Sequence, residues 1–269
     1  MFGGQSLRFG PAVTPEIIKQ LMIANVVVFT VQQLFPAISD LGAVNPINVW
    51  QEGYVWQPFT YMWLHGGFMH IAMNCFGLWM FGSELALEWG RKEFLSFYLQ
   101  TGIGAGFIIA SWPYVVMLFP GGADIDVRDT FTLGASGAVY AIVLAFSLTW
   151  PDRTIQLIFP PVSFRAIWLI PGFLVITIMT SGSEGNISHI GHLGGVLVGW
   201  LYLRHRGVSG PASSSNLNRR GDRPTVPSSN PLKRRWRRYR MRKKLRAVQI
   251  EKTSRRNEDQ DRNDSDVAS

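Results

Sequence analysis

Long apolar runs alternate with short polar breaks along the first two hundred residues of the chain. The runs extend from about Ile17 to Phe35, Phe68 to Leu87, Phe94 to Ser111, Leu133 to Trp150, Ile167 to Thr180 and His189 to Leu203. Most approach the ~20 residues a helix needs to cross a hydrocarbon core about 30 Å thick. The breaks are Gly90-Arg91-Lys92, Trp112-Pro113, a polar connection with Asp124, Asp126, Arg128 and Asp129, then Pro151-Asp152-Arg153 and the polar loop Ser181–Ser188. Lipid offers no partner to backbone N–H and C=O groups, so apolar runs of this length fold as helices. The pattern predicts an all-α membrane protein, a six-transmembrane helical bundle over residues 16–206. One connection is unusual. Between the first two runs the chain holds Trp50, Tyr54, Trp56, Tyr61 and Trp63 with Asp40 and Glu52 but no Lys or Arg. Such aromatic density predicts a segment lying at the membrane interface.

Composition alone does not separate a membrane bundle from a large soluble domain: 47% of the 269 residues are hydrophobic, with ten Trp and seventeen Phe. Charge does. Only seven of the 26 Lys and Arg residues precede Arg204, which leaves 19 from Arg204 onward. A soluble body with so few basic groups would be hard to keep in solution, and the net charge of +8 belongs to the tail. Placing the N-terminus inside puts Arg91, Lys92, Arg153, Arg165 and the tail inside and leaves Arg128 outside, so the positive-inside rule predicts that both termini are cytoplasmic. Residues 1–15 read as a disordered, Gly-rich N-terminus without a cleaved signal peptide. The single Cys75 excludes an intrachain disulfide. Residues 207–269 read as a flexible Ser/Pro/Asn/Gly linker, a basic helix over Lys233–Lys252 and a polar, disordered end. A basic juxtamembrane helix suits anionic lipid headgroups; a pure orientation signal is an equal alternative, and no nucleic acid is expected.

The chemistry lies in polar groups that a bilayer should exclude. The second run and its edge carry His65, His70 and Asn74, the fourth Ser136 and Tyr140, the sixth His189 and His192. Each alone is as readily interhelical glue as function. Their depth argues for a set. At about 1.5 Å of rise per residue, Ser136 lies roughly 21 Å above Trp150 and His192 roughly 18 Å above Arg204, which places both in the outer half. His70 and Asn74 share one helix face near the same level. Gly191, Gly195 and Gly199 form a small-residue groove that a face of Gly134, Gly137 and Ala141 can meet. A close crossing would bring the Ser136 hydroxyl to a His192 ring nitrogen, as base activation of a nucleophile requires. Tyr140, one turn on, can stack on that ring. At a helix N-terminus, Ser136 also has backbone N–H groups that favour an oxyanion. Gly134-Ala-Ser-Gly137 on its own fits either a nucleophile on a tight turn or a close helix contact.

Three motifs in order, His65-Gly-Gly-Phe-Met-His70-Ile-Ala-Met-Asn74, Gly134-Ala-Ser136-Gly137 with Tyr140, and His189-Ile-Gly-His192-Leu-Gly-Gly195-Val-Leu-Val-Gly199, resemble the rhomboid family of intramembrane serine proteases over residues 15–205. The resemblance implies a nucleophile at Ser136 and a general base at His192. It also implies an oxyanion hole of Asn74, His70 and the Ser136 N–H, with Tyr140 supporting the His192 ring and no cofactor or metal. Transmembrane segments of other proteins would be the substrates, with small residues at the cut. Where the family often has Trp-Arg this chain has Trp56-Gln57, a change that bears on loop stability; Gly191 stands where Ala is frequent before the histidine. No acid lies near Ser136 or His192, so the reading is a dyad. Glu84 and Glu88 read as structural, and His65 and His189 as hydrogen-bonded within the bundle and its outer loops. Two rivals stand: an inactive relative that binds membrane helices without cutting them, and a small transporter. The transporter predicts an internal repeat, which the chain lacks.

Overall fold

Each apolar run becomes helix, and the fourth of them ends up in the middle. The computed structural model describes residues 10–119, 128–156, 162–179 and 186–206. The first nine residues, Asp124 and Asp126, part of the Ser181–Ser188 loop, and the linker, basic helix and end of the tail lie outside the described residues. Helix α1 spans Glu16–Leu34. Three short helices follow in the aromatic segment: α2 (Ala37–Gly42), α3 (Pro46–Trp50) and α4 (Gln57–Thr60). Helices α5 (Phe68–Gly77) and α6 (Ser83–Trp89) are joined by a π-helical turn at Leu78–Gly82. Then come α7 (Arg91–Val116), α8 (Ser136–Thr149), α9 (Leu169–Met179) and α10 (Asn186–His205). Among the described residues, α1 and α7 are long and apolar enough to cross a membrane alone; α8 and the stretch Ala166–Thr177 are shorter apolar helices.

Three boundaries differ from the sequence reading. Helix α7 runs through Trp112-Pro113 to Val116. A proline in a helix removes one hydrogen bond and need not end it; Pro113 is buried, and its carbonyl accepts from Met117 N–H at 3.2 Å. Helix α10 begins at Asn186 rather than His189. Between α8 and α9 a small antiparallel hairpin, β1 (Thr154–Gln156) with β2 (Ser163–Arg165), pairs Ile155 with Phe164. These two pack on the core while their neighbours are exposed, an alternation too short to register among long apolar runs.

Helix α8 is buried on every side from Gly137 to Ser147, as expected of a helix apolar all round. It packs against the α5–α6 rod, α7, α9 and α10. Glycine sets the α8–α10 distance: a Cβ on Gly195 would run into the Gly137 carbonyl, and one on Gly199 would lie 2.9 Å from the Ala141 Cβ. Gly191 serves two neighbours: its carbonyl lies 3.2 Å from where a Cβ on Gly137 would stand, and its own Cβ would meet Ile109 of α7 at 3.0 Å. Gly134 faces His70 of α5 instead. Helix α7 is notched in turn. Gly104 admits Val198 of α10, and Gly106 admits Pro58 and the Tyr61 ring.

The aromatic segment is tied down by polar contacts as well as rings. Gln57, fully buried, accepts from Asn45 N–H at 3.0 Å and donates to the Leu41 carbonyl at 3.4 Å. Trp56 Nε1 donates to that same carbonyl at 3.0 Å. Val44 and Thr132 exchange backbone hydrogen bonds at 2.8 Å, and Asn45 donates to Asp129 at 3.0 Å. The segment is thus stitched to the strand-like approach to α8. At the other end of α8, Arg153 makes two hydrogen bonds to Glu84, at 2.8 and 2.9 Å. Glu93 likewise takes the Tyr202 hydroxyl at 2.7 Å and Arg206 at 2.6 Å.

Candidate active site

Ser136 is the first residue of α8, and its position is set by the turn before it. Gly134 has φ +131°, a conformation that L side chains rarely adopt. Its N–H donates to the Tyr61 carbonyl at 2.9 Å. A Cβ there would lie 2.7 Å from the His70 ring, so glycine is required twice over, by backbone and by neighbour. Being in the first turn, the Ser136 N–H has no acceptor within its own helix.

Across the crossing, Ser136 Oγ lies 2.8 Å from His192 Nε2. The Gly195–Gly137 contact one turn further along α10 makes this approach possible, since any side chain there would push the helices apart. The Tyr140 ring stacks flat on the His192 ring, with centroids 4.1 Å apart and planes 5° apart. The Tyr140 hydroxyl in turn bonds Thr177 Oγ1 and reaches the Phe173 carbonyl at 3.4 Å, both on α9. His192 Nδ1 is buried and has no hydrogen-bond partner among the described residues.

On the α5 side, His70 Nδ1 accepts from Gly66 N–H at 3.3 Å, and the other edge of the ring faces Gly134. Asn74 is buried one turn on, its amide donating to the His70 carbonyl at 2.9 Å. Glu84 engages Arg153, far from Ser136 in the fold. His65 is 1% exposed; its ring is directed at the Trp63 backbone and stands edge-on to His70, with centroids 5.2 Å apart.

Sequence reasoning missed the residues that hold this set in place. Thr177 and Phe173 anchor Tyr140 from α9, and the Tyr61 carbonyl anchors Gly134. Gln32 of α1 binds the His65 backbone at both its N–H and its carbonyl. A threonine inside an apolar run and a glutamine near the end of another were the available signals. A serine hydroxyl on an imidazole nitrogen, beside a helix N-terminus and an imidazole edge, can carry out acyl transfer.

Comparison with known proteins gives the family. The chain is 32% identical over 200 residues to RHOMBOID-like protein 12, mitochondrial, of Arabidopsis thaliana, covering 70% of this chain and 59% of that protein. It is 32% identical over 142 residues to Rhomboid protein 1, mitochondrial, of Saccharomyces cerevisiae, covering 51% and 38%. To Rhomboid protease AarA of Providencia stuartii it is 27% identical over 194 residues, covering 67% and 69%. The matched stretch thus spans less than two thirds of the plant and yeast relatives. Residues 52–206, more than half of the chain, match the Rhomboid domain, and the protein is a member of the rhomboid family, whose members are integral to membranes.

Proposed function

We propose that this rhomboid is an intramembrane serine endopeptidase that cleaves transmembrane segments of other membrane proteins through Ser136 and His192. The observation that carries the reading is the 2.8 Å approach of Ser136 Oγ to His192 Nε2 beneath a stacked Tyr140. Neutral His192 accepts the Ser136 proton at Nε2 as Oγ attacks the scissile carbonyl. The oxyanion that forms takes hydrogen bonds from the Ser136 N–H, His70 and the Asn74 amide. His70 suits this role because Nδ1 is already an acceptor, which leaves the proton on Nε2, the donor side. His192 then protonates the leaving amine, and a water activated by the same ring hydrolyses the acyl-enzyme. Among the described residues no acid reaches His192 Nδ1, which fits a dyad, since a carboxylate buried there would carry its own desolvation cost.

In this reading residues 16–206 form a six-span bundle with both ends cytoplasmic, supported by the basic residues at Arg91, Lys92, Arg153 and Arg165. The basic segment Lys233–Lys252 contacts anionic lipid. A helical substrate must unwind before its carbonyl reaches Ser136, so segments with small or helix-weakening residues are favoured. The test is a fluorophosphonate probe together with a model transmembrane substrate. The wild-type chain should be labelled and should cut the substrate. Ser136→Ala should abolish labelling and lower the cleavage rate by about 10⁴-fold or more. An unlabelled wild type would support instead a relative that binds membrane helices without cutting them.

A further inference from the structure

We propose that Gln32 of α1 is a positioning residue that sets the orientation of His70 through the His65 backbone. The inference rests on the reading above, in which His70 faces the developing oxyanion. Gln32 is buried, and both ends of its amide are used. Nε2 donates to the His65 carbonyl at 3.1 Å and to Ser39 Oγ at 3.0 Å, while Oε1 accepts from His65 N–H at 3.0 Å. The side chain thus pairs with His65 as one β-strand residue pairs with another, fixing both the position and the tilt of that peptide unit.

The other polar neighbour of His65 is the Trp63 backbone, which belongs to the same loop and so cannot fix that loop against α1. The ring itself is buried. The remaining buried or hydroxyl groups of α1 look elsewhere: Asn25 donates to Leu21 and faces Tyr98 of α7, and Thr30 donates to Val26 within the helix. Gln32 alone of these reaches across to the loop before α5.

Two contacts carry the constraint onward. The His65 ring stands edge-on to the His70 ring at 5.2 Å and 72°. The next residue, Gly66, donates its N–H to His70 Nδ1 at 3.3 Å, which selects the tautomer and fixes the ring rotation. On the opposite side His70 meets Gly134, so the imidazole is gripped between a wall fixed by α1 and the turn that presents Ser136. A hydrogen-bond donor for an oxyanion is useful only if it is held at the right place before the charge forms. In this chain the holding is done from a helix that contributes no residue to the Ser136–His192 pair. Gln57, the other fully buried glutamine side chain, fixes the aromatic segment and does not touch His65 or His70.

The experiment uses the full chain in detergent with three variants: Gln32→Met, which keeps the shape and loses the amide; Gln32→Glu, which keeps an acceptor for His65 N–H; and Thr30→Val as a neighbour on α1. The readouts are the fluorophosphonate labelling rate, kcat and KM on a transmembrane substrate, and the imidazole ¹⁵N shifts, with His70 assigned from His70→Gln. Gln32→Met should slow labelling and lower kcat by about tenfold, and by up to ~100-fold if His70 moves by 1 Å. KM should stay within about twofold of wild type, and the His70 nitrogen shifts should move. Gln32→Glu should fall between, and Thr30→Val should match wild type. A Gln32→Met protein that labels at the wild-type rate overturns the inference. So does one that labels slowly with unmoved His70 shifts, since that result means a loss of stability only. If Gln32→Met does not accumulate, Gln32→Glu decides by the same two readouts. Failure of the underlying reading looks different: wild type itself is not labelled, or Ser136→Ala is labelled equally. The His70 shifts then decide the positioning clause alone.

Discussion

Helix α8 meets α10 backbone to backbone and meets α9 through its side chains, Tyr140 foremost. On the first side, Gly137 and Gly195 leave no atom between the two main chains, and Ala141 with Gly199 repeats the contact one turn away. On the second, Tyr140 and Phe173 stand edge to face with centroids 5.8 Å apart, and Phe81 meets the same Phe173 at 6.4 Å. Trp168, just before α9, and Val175 and Ile176 on it are exposed. A contact between main chains has no rotamers to absorb a shift, whereas a ring contact can slide or rotate. The Ser136–His192 hydrogen bond sits on the backbone-to-backbone side. That arrangement is what a 2.8 Å hydrogen bond between two separate helices demands, and it leaves α9 as the side able to give way.

The sharpest way to break this contrast is to add one methyl group. Gly195→Ala forces a Cβ into the Gly137 carbonyl, and neither helix can yield without separating Ser136 from His192. We expect a loss of about 3 kcal/mol or more, the upper end of what overpacking costs, with fluorophosphonate labelling abolished. Gly199→Ala is the graded partner. Its new methyl would lie 2.9 Å from another methyl, that of Ala141, so a smaller drop in Tm in detergent and residual labelling are expected. Equal effects at the two positions would show that the crossing is not the rigid element described here.

Gly134→Ala tests the other wall of the site. The strained φ costs about 1–3 kcal/mol for a residue with a Cβ, and the new atom would lie 2.7 Å from the His70 ring. His70 must then turn away. The expected result is a modest fall in Tm with a disproportionate fall in labelling rate, since the displaced group is a donor and not a packing element. A fall in Tm with the labelling rate preserved would remove His70 from the site.

These positions also show how far a sequence carries the argument. Ser136, His192 and Tyr140 were legible because helical spacing and depth place them together, and each recurs in a motif whose chemistry depends on those side chains. Gly195 and Gly199 were legible as small residues on one helix face. Gly191 meets α8 through its carbonyl and α7 through its α-carbon face, and Gly134 packs on His70 rather than on α10, because periodicity gives a face but not every helix that borders it. The hairpin at Thr154–Arg165 and the π turn at Leu78–Gly82 left no trace, being shorter than the repeat that would reveal them. The roles of Gln32 and Gln57 depend on loop carbonyls and N–H groups brought close by folding, and a residue's own letter says nothing of those.

Tyr140 belongs to both sides of the comparison, with its ring on His192 and its hydroxyl on α9. Tyr140→Phe keeps the stack and cuts the link to Thr177 and Phe173, so labelling should stay within about twofold of wild type. Tyr140→Ala removes the stack, and a loss of about 0.5–1.5 kcal/mol for an aromatic pair corresponds to roughly two- to tenfold in rate. If Tyr140→Phe were as slow as Tyr140→Ala, α9 would be holding the dyad through that hydroxyl, and the division between a rigid and a yielding side would fail.

The smallest effect is expected at the far end of α8. Arg153 binds Glu84 through two nitrogens and lies over the Phe146 and Trp150 rings at 5.5 and 5.9 Å. Both partners are partly exposed, with side-chain exposures of 44% and 25%, so solvent and salt screen the pair. Glu84→Gln keeps the shape and one acceptor, and the ring contacts remain. We expect a stability loss of no more than about 1 kcal/mol, as for other partly exposed ion pairs, fading in high salt, with labelling of Ser136 unchanged. A larger loss of labelling than of stability would mean that the α6–α8 clamp reaches the dyad along α8. The helix would then transmit strain over its whole length, and the crossing with α10 would not by itself explain where Ser136 and His192 meet.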